Sequence, residues 1–105
     1  MDIAGKSVGG SHPTYFIADV AANHDGVLDR ALELITLAKE AGADAAKFQH
    51  FRADRIVSDK GFRELGGQQS HQASWAKSVY EVYKDASLPW EWTKPLADHA
   101  KAIGI

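Results

Sequence analysis

The chain has 105 residues, a net charge of −2 and no cysteine. That length suits one small domain, and the missing cysteines exclude disulfides and thiolate chemistry. No lysine or arginine run points to nucleic acid and no apolar stretch reaches the ~18 residues of a membrane span. The opening MDIAGKSVGG lacks the apolar core of a secretory signal, so the cytoplasm is the expected location.

Residues 1–13 are rich in Gly and Ser and read as an irregular segment or short hairpin. Thr14 to Asp19 reads as a strand, with Tyr15, Ile17 and Asp19 on one face and Phe16, Ala18 and Val20 on the other. Both faces are largely apolar, as in a parallel strand covered on both sides. A helix is predicted from Gly26 to Ala41. Leu28, Ala31, Leu32, Ile35 and Ala38 form its buried stripe, broadened by Leu34, Leu37 and Ala41. Asp29, Glu33, Thr36 and Glu40 mark its wet side, Asn23 and Asp25 are candidate N-caps, and Gly42 is placed to end it.

Asp44 to Gln49 reads as a second strand, with Ala45, Lys47 and Gln49 on one face and Ala46 and Phe48 on the other. Arg52 to Ser70 reads as a long excursion with at most one short helical turn. A helix is predicted over Gln72–Lys84, with Trp75, Val79, Val82 and Tyr83 on its apolar face. LPWEW then opens a last helix ending near Gly104. Pro95 must lie in the first turn of that helix, with Leu96, Ala97, Ala100 and Ile103 inward. Ile105 would open a third strand.

A β-α-β unit with polar residues at its strand ends suggests an active-site rim, because parallel α/β folds bind ligands there. Asp19, Asn23 and His24 follow the first strand, and Lys47 and Gln49 tip the second. Across the sheet Asp19 and Lys47 are expected about 5 Å apart.

FIADVAANHDG, then a helix, then AGADAAKFQHFRAD, resembles the amino-terminal part of the sialic acid synthase family. Its usual pattern is close to Ala-Glu-Ile-Gly-x-Asn-His-x-Gly, a helix, and Gly-Ala-Asp-Ala-x-Lys-Phe-Gln. The resemblance runs from about Gly10 to Ile105 and includes the LPWEW stretch. It implies the first βα units of an eight-stranded β/α barrel over residues 14–105. It also implies condensation of phosphoenolpyruvate with an N-acylated hexosamine to a sialic-acid-like 2-keto sugar acid and phosphate. A divalent metal, Mn2+ or Mg2+, and a homodimer are implied too, with the metal ligands beyond Ile105. Asp19 stands where the family usually has glutamate, one methylene longer. A whole barrel takes about 250 residues, so the chain is expected to be a fragment ending before the third strand and inactive alone.

For each candidate a plainer reading stands beside the functional one. Lys47 would hold a carboxylate or phosphate, or form an ion pair with Asp19 or Asp44. Gln49 would donate to the same ligand or satisfy loop backbone. Asp19 would orient sugar hydroxyls or move a proton, or serve as counter-charge to Lys47. Asn23 would face the site or cap the helix, and His24 would touch substrate or stabilise its loop. His50, His71 and His99 read as surface or loop residues, Arg52 and Arg55 as solvated loop cations, and Trp75, Trp90 and Trp92 as packing. Two other functions fit less well: a non-catalytic partial barrel that binds a partner, and another phosphate-handling, aldolase-like barrel.

Overall fold

The computed structural model describes residues 1–64 and 76–105. The N-terminal segment forms a hairpin of β1 (Asp2–Ile3) and β2 (Lys6–Ser7). Ala4 and Gly5 both take positive φ, 49° and 79°, the twist that a two-residue hairpin turn requires. The Asp2 carboxylate accepts the Gly5 N–H at 2.9 Å and fixes that turn.

β3 (Ile17–Ala21) and β4 (Ala45–Phe48) pair in parallel, with α1 (Leu28–Glu40) crossing between them. β3 starts three residues later than predicted and runs two further. The pairing is Ile17 with Ala45, Ala18 with Ala46, Asp19 with Lys47, then Ala21 with Phe48. One extra residue in β3 therefore interrupts the ladder between Asp19 and Ala21, and Ala21 takes φ 52°.

The helix begins at Leu28 rather than Gly26. Asp25 and Gly26 have φ of 51° and 74°, and helical backbone cannot start until the chain leaves the left-handed region. Val27 is the N-cap and no side chain caps it, so neither Asn23 nor Asp25 does so. Gly42 ends the helix at φ 86°, as expected.

The core lies between α1, β4 and the last helix, α5 (Thr93–Ile103). Ala31, Ile35, Leu88 and Leu96 are buried at its centre; Leu28, Leu32, Ala46, Phe48 and Trp92 pack around them. The predicted stripe holds, but Leu37 is half exposed and Ala41 exposed. Thr36, read as wet, is partly buried because its hydroxyl meets His99 Nε2 at 2.8 Å. His99 thus ties α5 to α1 rather than standing free on the surface. Ala97, predicted inward, is exposed.

The long excursion contains two short helices among the described residues, α2 (Ala53–Ile56) and α3 (Asp59–Glu64), one more than predicted. α4 spans Val79–Ala86, starting well after the predicted Gln72. Ser78 accepts the Glu81 N–H while Glu81 accepts the Ser78 N–H, and this reciprocal cap sets the start. Trp75, His71 and the GGQQS stretch lie outside the described residues. Trp90–Trp92 form a single 3-10 turn ahead of α5, and Pro95 sits in the first turn of α5. Trp92 packs as predicted, but Trp90 is 62% exposed. No helix among the described residues is long and apolar enough to cross a membrane.

Candidate active site

Ala46 and Phe48 turn toward the helices and the core, so period-two alternation sends Ala45 and Lys47 to the opposite face of the sheet. On β3 the buried Val20 faces the helical layer, and Ile17 and Asp19 lie on the other side. Among the described residues that second face is uncovered: Ile17 is 55% exposed. Asp19 and Lys47 stand on it toward the strands' carboxyl ends. The Lys47 Nζ donates to Asp19 Oδ2 at 2.9 Å, and both side chains are 55% exposed. The alternative partner, Asp44, lies at the opposite end of β4. It holds Lys6 of the hairpin and accepts the Phe16 N–H. Those contacts keep its carboxyl below the usual range and hold the Lys6 ammonium above its own.

The loop between β3 and α1 is held from within. The Asn23 amide donates to Val20 O at 2.9 Å, and the Asn23 carbonyl accepts the Arg30 Nε at 2.8 Å. Arg30 also pairs with Asp25 at 3.3 Å. Asn23 is exposed at the rim, whereas its neighbour His24 has no exposed surface. The His24 Nδ1 accepts the Gly26 N–H at 3.1 Å, so a neutral ring carries its proton on Nε2. That Nε2 is buried without a hydrogen-bond partner among the described residues. The ring meets Trp92 edge to face, 5.5 Å between centroids and 78° between planes.

Gln49 is exposed on the rim just beyond β4, and its N–H donates to Ala21 O at 3.2 Å, the last rung between the strands. His50 follows, its Nε2 3.1 Å from Thr93 Oγ1. Arg52 forks onto Asp54, and Arg55 lies 3.8 Å from the same carboxylate. The structure therefore gathers Asp19, Lys47, Asn23 and Gln49 on one rim and sets His24 beneath it. Sequence reasoning misses Arg30 and Thr93, and reads Trp92 as packing without its contact to His24. Arg30 is a charged residue on an exposed helical face, and Thr93 reads as an ordinary helix-start residue. Among the described residues no group of three His, Cys, Asp or Glu side chains could hold a metal ion.

The profile of the NeuB family matches residues 34–105. The chain belongs to the NeuB family. The spore coat polysaccharide biosynthesis protein SpsE of Bacillus subtilis is 40% identical over 101 residues, covering 96% of the chain but 26% of SpsE. The mouse N-acetylneuraminate-9-phosphate synthase is 34% identical over 105 residues, 96% of the chain and 27% of that enzyme. The SpsE crystal structure superposes on the whole chain at TM-score 0.68 and 37% identity, matching 25% of its own length. The sialic acid synthetase of Leptospira borgpetersenii gives 0.75 at 24% identity, matching 31% of its length, and speaks for the fold alone. The chain thus spans about a quarter of SpsE and its relatives, in their amino-terminal part. Its fold is that of the first βα units of a NeuB-type β/α barrel.

Burial holds the His24 pKa below its usual 6.5, although Asp25 nearby pulls the other way. The fold therefore prefers neutral His24, while the unfolded chain takes up a proton at about 6.5. Stability from this group is full above that pH and falls as pH drops through the lower folded value. Urea midpoints of the full-length protein should fall between pH 7.5 and 5.5, and less steeply in His24→Phe. Equal slopes would show that His24 does not titrate with folding.

Proposed function

We propose that the chain forms part of the active-site rim of a cytoplasmic enzyme joining phosphoenolpyruvate to an N-acylated hexosamine. The observation that carries this reading is the Asp19–Lys47 pair. It stands near the strands' carboxyl ends, where β/α barrels bind ligands, in a chain whose relatives are named as sialic-acid-type synthases. In the reaction, C3 of the enol bonds to the sugar's aldehyde carbon, one water is consumed, and phosphate leaves as the 2-keto acid forms.

Lys47 supplies a point charge for the substrate's carboxylate or phosphate. Asp19 keeps the ammonium in place until an anion arrives, then orients a sugar hydroxyl or moves a proton. Gln49 and Asn23 add amide donors at the rim. A divalent ion, Mn2+ or Mg2+, would polarise the aldehyde. No residue set described in this chain fits that ion, so its ligands would come from elsewhere in the protein, and the steps above use side chains alone. The full-length enzyme would act as a homodimer.

The test is phosphate release by the full-length protein from phosphoenolpyruvate, with N-acetylmannosamine and the diacetylated hexosamines as a panel. Mass spectrometry of the product should show the two carbon skeletons joined. Phosphate release without any sugar dependence would reject the reading, and a product with a different skeleton would point to another aldolase-like barrel.

A further inference from the structure

We propose that the step Trp92–Thr93, at the head of α5, is a positioning element that fixes the two rim loops relative to each other. Two histidines from different loops dock on these consecutive residues. His24, from the loop after β3, lies against the Trp92 ring, and His50, from the segment after β4, meets the Thr93 hydroxyl. Each histidine directly follows a rim residue, His24 after Asn23 and His50 after Gln49.

The receiving step is itself firmly held. Leu88 on one side and Leu96 on the other are buried, at 1% and 4% exposure, in the core shared with α1. The Trp92 N–H closes the 3-10 turn onto Pro89 O at 3.0 Å. The need for such a device follows from the strand ladder, which ends at the Gln49-to-Ala21 hydrogen bond. Beyond that rung, among the described residues, the β3 loop keeps its internal bonds and its tie to Arg30. None of those bonds refers it to the β4 side. The Trp92–Thr93 step supplies that reference. His24 is fully buried and so acts through its loop, as a positioning residue. A misplacement of 1 Å at a reacting centre can lower a rate about a hundredfold, so spacing held this way matters for the chemistry.

This inference deepens the proposed function and rests on it for the kinetic readout alone. In the full-length protein, amide hydrogen exchange is followed in residues 21–27, 49–52 and 28–40 without substrate. Thr93→Val removes the hydroxyl at nearly constant shape, and exchange over 49–52 should rise about two- to tenfold. Trp92→Leu should do the same over 21–27. Thr93→Ser and Trp92→Phe should restore protection, and α1 should stay protected in Thr93→Val. The Trp92 ring also packs on the core, so in Trp92→Leu α1 should lose some protection, but less than residues 21–27. With phosphoenolpyruvate and N-acetylmannosamine, Thr93→Val should lower kcat at unchanged KM, and Thr93→Ser should recover it. Unchanged exchange in both loops overturns the proposal. An equal rise across α1 also overturns it, because the residues would then serve global stability only. Failure of the synthase reading would appear separately, as absent sugar-dependent phosphate release while the exchange pattern persists.

Discussion

Lys47→Ala in the full-length protein should lower kcat/KM for phosphoenolpyruvate by about 10²–10³-fold, the usual loss when one preorganised charge stabiliser is removed. Magnitudes make this decisive. The Asp19–Lys47 pair is 55% exposed on both sides. An exposed ion pair contributes only about 0–1 kcal/mol to stability. If the pair is merely structural, Lys47→Ala should leave both the urea midpoint and the kinetics almost unchanged. A large kinetic loss with an unchanged midpoint therefore has one source, the ligand. Lys47→Arg should recover part of the rate, because charge is kept while the compact ammonium becomes a planar fork. Wild-type kinetics in Lys47→Ala would remove this residue from the mechanism.

Ile35→Ala should destabilise the full-length protein by about 2–5 kcal/mol, the range for truncating a large aliphatic side chain in a packed core. Ile35 is 1% exposed and sits with Ala31, Leu88 and Leu96 where α1 meets α5. Its neighbours come from separate elements whose backbones cannot all close on the void, so the cavity persists. Urea unfolding should show a lower midpoint at constant slope. Leu37→Ala, two residues on and so about half a turn away on the same helix, is 49% exposed and should cost far less. Equal losses at the two positions would mean that the buried stripe of α1 is misassigned.

The β-α-β unit was readable because period and composition agree there. The stripe from Leu28 to Ala38 has helical spacing, and the Asp19–Lys47 pairing followed from alternation plus strand adjacency. Errors cluster where one local contact overrides a pattern. Asn23 and Asp25 have the chemistry of N-caps, but the left-handed backbone at Asp25 and Gly26 delays the helix past their reach. Thr36 looks like surface until a histidine 63 residues away supplies its partner. The burial of His24 had no signal at all in the sequence. It depends on Trp92, which reaches the loop only through tertiary packing.

The extra residue in β3 makes this rim sensitive to length. Loops after strands usually accept insertions and deletions, since their ends move independently of the scaffold. Here β3 has one residue more than β4 needs between Asp19 and Ala21. Deleting that surplus would give an unbroken ladder and draw the following loop back by about 3.3 Å, one strand residue. His24 would then be withdrawn from Trp92, and Asn23 would shift with it along the rim. Homologous swaps or loop grafts across this segment should therefore conserve residue count from Asp19 to Val27 more strictly than residue identity.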